Sequence, residues 1–173
     1  LEQEIAASRG EVSGTLVLGV VPTATAYAAQ LVDQVLAQHP RILARVEVTT
    51  SLSIQQRLYD GTIDAGITYD DSLGRDLVNI IQLYEEAYVL RAPTEMVSGF
   101  DGSISWAEAA KLPLSLLDSQ MQNRRILDRV FDDLGLTPKI VSESNGFMTS
   151  MVMARTGSTA TILPLALVDA LGD

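Results

Sequence analysis

The chain has no cysteine and a single histidine among its 173 residues. The first absence excludes disulfides and thiolate metal ligands, and it fits a reducing compartment. The second leaves too few imidazoles for an ordinary zinc site. His39 beside Pro40 ends a helical pattern, and no serine lies in a G-x-S-x-G turn, so a Ser-His-Asp triad has no foothold. No G-x-G-x-x-G or Walker loop occurs, so nucleotide chemistry lacks its phosphate cradle. The pairs Asp70-Asp71 and Asp132-Asp133 lack calcium-loop spacing. Carboxylates suited to hydrolysis are present, but nothing singles out one pair. The expectation is no metal, no cofactor and no catalysis.

Basic residues are also scarce: 12 Lys and Arg stand against 22 Asp and Glu, a net charge of −10. Up to Leu90 the balance is 5 basic to 12 acidic residues, and beyond it 7 to 10. Neither part would hold a nucleic-acid backbone by itself. No apolar run approaches the ~20 residues of a membrane helix. The opening LEQEIAASRGEVSG has no apolar signal core. Aromatics make up 5% of the chain. Trp106, Phe131 and Phe147 are expected in the core, Phe147 at a helix start where it could also wall a pocket.

What the chain has is alternation of strands and helices. Thr15–Val21 is apolar on both faces, as in a buried parallel strand. It breaks at Pro22 and leads into a helix near Thr25–Gln38, with Ala28, Leu31, Val32, Val35 and Leu36 at helical spacing. A strand over Arg45–Thr50 follows. Then comes a helix bearing Ile54 and Leu58, with Ser51 and Ser53 as candidate N-caps, and a strand over Ile63–Thr68. Two further strands are expected over Leu77–Leu83 and Ala87–Ala92, with a crossover near Tyr88–Pro93. Beyond a loop over Pro93–Gly102 and a short helix capped by Ser105, the plan restarts. Strands are expected at Leu112–Leu117, Lys139–Ser142 and Ala160–Leu163. Helices are expected at Gln122–Leu134 and from Asn145-Gly146 to Thr156. Such alternation implies parallel sheets flanked by helices, here in two α/β lobes.

Repeatedly a strand hands over to a helix whose first turn is rich in hydroxyl and amide side chains. Thr23, Thr25, Ser51 and Asn145 stand at such starts. Helix starts present unpaired N–H groups and partial positive charge, and open α/β sheets bind ligands at strand C-terminal ends. Each start also has an ordinary reading as a cap worth about 1 kcal/mol. Arg124 lies where a cation opposes the helix dipole, so it either meets an anion or forms a salt bridge. Asp118 reads as a cap, since a carboxylate would repel an anion.

The segments GTLVLGVVPTATAY, LYDGTIDAGI, LPLSLL, the helix ending in LGLTP, and SNGFMTSMVMARTGSTATILP resemble, in order and spacing, the effector-binding domain of LysR-type transcriptional regulators. NRRILDRVFDDLGL and ARTGSTATILP are similar in finer detail to the cyanate-sensing branch of that family. The resemblance implies a fold like type 2 periplasmic binding proteins, with two lobes clamping a small, anionic or carboxylate effector. It implies the end of a linker helix over residues 1–13, lobe I over 14–90 and lobe II over 91–173. It also implies a preceding winged helix-turn-helix domain that binds DNA, and a C-terminal return to lobe I beyond Asp173. The effector contacts it implies are Thr23, Thr25, Ser51, Thr68 with Tyr69 nearby, Asn123, Arg124, Asn145, Phe147 and Thr149. It further implies a cytoplasmic, antiparallel homodimer or homotetramer without membrane contact, paired through helices at Ala26–Gln38 and Asn123–Leu134. A periplasmic solute-binding protein and an enzyme on the same scaffold are the rival classes.

Overall fold

Strand formation starts where the apolar run is longest. In a computed structural model, which describes residues 12–70 and 78–170, Ser13–Val20 forms β1. Pro22–Ala24 makes a single 3-10 turn, and α1 runs Thr25–Gln38. β2 is Arg41–Val48, α2 Ser51–Tyr59 and β3 Ala65–Ile67. The three strands form one parallel sheet in the order β2-β1-β3. Leu18, Val20, Ala28, Ile54, Ile63 and Ile67 make its buried core, and Leu31, Val32 and Leu58 pack against them. These residues and those up to Leu83 form one compact unit; Tyr84 onward form a second.

The second unit begins with β4, Tyr88–Arg91. It continues with α3 (Thr94–Val97), α4 (Trp106–Ala109), β5 (Leu114–Leu117) and α5 (Gln122–Asp133). It ends with β6 (Ile140–Ser144), α6 (Phe147–Thr156), β7 (Thr161–Pro164) and α7 (Leu165–Ala170). β4 pairs antiparallel with β7, β5 parallel with β6, and Leu114 bridges in parallel to Ala160. The core gathers Leu114, Leu116, Leu127, Phe131, Ala160 and Ile162, with Trp106 edge-on to Phe131 at 5.3 Å between ring centroids. Ser105 and Glu108 form a reciprocal capping box at α4. Gly157, at φ 97°, ends α6 in the left-handed conformation that glycine adopts without strain.

Several expectations shift. β2 begins at Arg41, because its pairing with β1 starts at Ser13↔Arg41 and carries the polar residues along the sheet edge. No strand forms over 78–83; Ile81 is 79% exposed there. Residue 77 of the expected Leu77–Leu83 strand and residues 1–11 of the expected linker helix lie outside the described residues, and Ser13, expected to end that helix, opens β1. Tyr88–Arg91, expected near a crossover, is held within the second unit by its ladder to β7. α3 and α7 form where the pattern predicted no helix. The cap of α2 is Thr50, whose Oγ1 accepts from the Ser53 N–H at 3.2 Å, so Ser51 is the first helical residue and caps nothing.

Candidate functional site

The strands of the first unit end level. Val20 pairs with both Val48 and Ile67, the Thr49 N–H reaches Val20 O at 2.9 Å, and the Val21 N–H reaches Ile67 O at 3.0 Å. Thr68 directly follows β3, while Thr23 and Ser51 each stand three residues beyond β1 and β2. Level strand ends therefore deliver three hydroxyl residues to one end of the sheet. Thr23 is 2% exposed, and its Oγ1 accepts from the Tyr69 hydroxyl at 2.9 Å. Ser51 is 1% exposed, and neither its Oγ nor the buried Thr68 Oγ1 has a hydrogen-bond partner. Each such orphan costs about 1–3 kcal/mol of desolvation. Thr25 turns inward on the chain, its Oγ1 donating to Pro22 O at 3.0 Å.

In the second unit β5 and β6 also end together, at Leu117↔Ser144. Asn123, in the first turn of α5, is 2% exposed; its Nδ2 donates to the Tyr88 hydroxyl at 3.3 Å and its Oδ1 is unpartnered. Phe147 opens α6 and is buried, whereas Asn145 and Thr149 are exposed. Ser144 Oγ donates to Gly146 O at 2.8 Å, which turns the chain into α6.

Arg124 takes the salt-bridge alternative. Its Nε donates to Asp128 Oδ1 at 2.7 Å, and its Nη1 donates to Leu117 O at 2.9 Å and to Glu143 Oε1. Burial works against its charge, but the hydrogen bonds to Glu143 and Asp128 outweigh it and hold the guanidinium's pKa above its ordinary value. The cation at this helix start is thus already matched by two carboxylates. Asp118, expected as a cap, caps no helix: its Oδ1 accepts from the Gln120 N–H at 2.9 Å in the turn before α5, whose N-cap position is Met121.

Charge placement separates these helix starts from those of α3 and α4; α7 also lacks an acid in its first turn. α1, α2, α5 and α6 carry no acidic residue in the first turn, and α1, α5 and α6 have no side-chain cap at all. α3 and α4 carry Glu95 and Glu108 there. An acid in the first turn is the usual partner of the dipole. Where the helices follow parallel strands it is withheld, which leaves the positive ends able to attract an anion. Among the described residues no group of three or more His, Asp or Glu is placed to hold a metal, and no helix is long and apolar enough to cross a membrane.

Residues 9–173 match the family model described as the LysR substrate binding domain. The chain belongs to this LysR family. A curated relative, the HTH-type transcriptional regulator BsdA of Bacillus subtilis (strain 168), is 24% identical over 168 residues, covering 95% of this chain and 57% of that one. Among solved structures, full-length CbnR, a LysR family regulator, complexed with its target DNA superposes with a TM-score of 0.78 at 18% identity, covering 96% of this chain and 58% of that chain. The regulatory domain of CcmR from Synechocystis PCC6803, in complex with 2-PG, gives 0.76 at 16% identity over 90% of this chain and 74% of that chain. The fold is the α/β, type 2 periplasmic-binding-protein-like fold of LysR regulatory domains. The chain spans little more than half the length of BsdA and of full-length CbnR. Membership of this family disfavours the transporter reading.

Thr23, Ser51, Thr68 and Tyr69 lie at one end of the sheet. Tyr88 and Glu86 were not anticipated. Tyr88 sits in a strand, and nothing local marks a tyrosine whose hydroxyl reaches a helix 35 residues away.

Proposed function

We propose that this LysR substrate-binding domain senses a small anionic effector. Its contacts in the first unit are Thr23, Ser51 and Thr68, supported by Thr25. In the second unit they are Asn123, Phe147, Asn145 and Thr149. One observation carries the reading: buried, partnerless Ser51 Oγ stands at the start of a helix whose first turn holds no acid. Folding alone would not favour that arrangement, since the orphan costs stability. A ligand oxygen would satisfy it, and the helix end would add a few tenths to about 2 kcal/mol.

Substitution of Ser51 tests this directly. Ser51→Ala removes the orphan and is expected to leave the ligand-free protein as stable or more so, by up to about 1–2 kcal/mol in denaturant unfolding. The same change should weaken a binding anion by about 1.5–3 kcal/mol in calorimetry, the range for a hydrogen bond to a charged partner. Lost stability with unchanged affinity would mark Ser51 as purely structural.

The wider protein would be a cytoplasmic, DNA-binding transcription regulator, with DNA contacted outside this acidic chain. It would bind without turnover and contact no membrane. To signal, the effector must favour one arrangement of the protein over another, by a differential of about 1–3 kcal/mol. Self-association through α1 and α5, in a homodimer or homotetramer, would pass that preference on. Sedimentation at micromolar concentration is expected to give a dimer or larger species; a strict monomer would remove the paired-helix model.

A further inference from the structure

Three groups in the second unit decide which way the buried Asn123 amide faces. The Tyr88 hydroxyl donates its single proton to Glu86 Oε2 at 2.7 Å, and a carboxylate can only accept. The lone pairs of the Tyr88 oxygen are therefore what Asn123 meets, and only the amide nitrogen can face them; it does so at 3.3 Å. Were the amide reversed, two acceptors would stand opposed. Oδ1 is thus turned away, buried and without a partner. It is an acceptor, and a bare inorganic anion or a plain carboxylate has only acceptors to offer it.

The same helix start also asks for an acceptor. α5 has no side-chain cap and no acid in its first turn, so its first N–H groups and its dipole favour negative charge. One helix turn therefore presents a demand for an anion beside a demand for a hydrogen-bond donor. From this juxtaposition we infer that the effector is a carboxylate carrying a hydroxyl or amino group, with Asn123 Oδ1 reading that donor. Tyr88 and Glu86 are positioning residues: they touch no ligand in this scheme but hold the amide in the orientation that accepts. The inference rests on the effector-sensing reading and narrows it, excluding the inorganic anions without a proton to donate, such as sulfate and nitrate, that the charge pattern alone would admit.

Matched probes separate the two. The protein is titrated, by thermal shift and then calorimetry, with the series propionate, lactate and alanine, the series succinate, malate and aspartate, and with sulfate and nitrate. A hydroxy or amino member is expected to bind about tenfold or more tightly than its plain partner, the difference one satisfied buried acceptor makes. The hydroxy and amino arms show which donor is read. Asn123→Ala should abolish the preference, bringing the donor-bearing member down to the level of its plain partner. Tyr88→Phe frees the amide to reverse and should reduce the same preference without touching the acceptor itself; it also serves if Asn123→Ala fails to fold. Equal binding of plain and donor-bearing members, tighter binding of sulfate or nitrate, or a preference that survives both substitutions overturns the inference and leaves an anion-sensing domain in place. No stabilisation by any probe counts against the effector-sensing reading, and the inference falls with it, since a binder must stabilise by mass action.

Discussion

Replacing Phe131 by alanine is expected to destabilise the second unit by about 3–5 kcal/mol, the cost of deleting a buried aromatic side chain. Phe131 is 1% exposed and lies in the cluster formed by Leu114, Leu116, Leu127, Ala160 and Ile162. Its ring meets Trp106 at 88°, an edge-to-face pair worth about 0.5–1.5 kcal/mol beyond area burial. These contacts join α4, α5 and the strands around β5, so no single element can close over the space left behind. Trp106 is the chain's one tryptophan, and its emission reports this core directly. Denaturant unfolding followed at that tryptophan should show the loss, and Phe131→Leu, which keeps most of the apolar volume, should recover most of it. A change under about 1 kcal/mol for the alanine variant would mean that α5 is not anchored through this ring. The consequence for function is positional. α5 carries Asn123 two turns upstream of Phe131, so a helix that rocks in its seat misplaces the amide even where the fold survives.

How far the sequence discloses this molecule depends on how far apart the partners lie. β1 and α1 are readable because a two-sided apolar run and a helical stripe are local patterns, complete within one element. The start of β2 is not, because its register is set by β1 and its residues alternate at a sheet edge where polar side chains cost nothing. The cap of α2 turns on one residue in the run Thr49-Thr50-Ser51. Any of the three hydroxyls could serve, and only the structure assigns the task to Thr50 and so leaves Ser51 idle. That displacement by one position is what makes Ser51 informative. Arg124 is visible as a cation in the wrong half of a helix, but its neutralisation needs Glu143, nineteen residues onward on β6. The Glu86–Tyr88–Asn123 chain is invisible for the same reason: its meaning lies in a hydrogen bond donated by Asn123 to Tyr88, 35 residues earlier in sequence.

Ile54→Ala is expected to cost about 2–5 kcal/mol, the range for emptying a large aliphatic site in a packed core. Its effect is best read together with two glycines. Gly19 of β1 and Gly66 of β3 are paired across the sheet, and Ile54 of α2 packs onto them. A Cβ added at Gly66 would lie 2.5 Å from Ile54 Cγ2, and one at Gly19 would lie 3.2 Å from Ile54 Cγ1 and 2.8 Å from Ile63 Cδ1. The β-branched side chain cannot swing aside cheaply, so Gly66→Ala alone should cost about 1–3 kcal/mol by overpacking. Together the two changes should cost clearly less than their sum, because the new methyl fills part of the space that Ile54 vacates. Simple additivity in urea unfolding of the four proteins would show that the helix is not seated on this glycine pair. The cycle also bears on binding. Ser51 lies three residues before Ile54, on neighbouring turns of one helix face. The glycine floor lets α2 approach the sheet closely enough for the Ser51 hydroxyl to be buried at the strand ends. A variant that lifts α2 while keeping the protein folded should therefore lose anion affinity with Ser51 itself intact, through the height of the helix above the sheet.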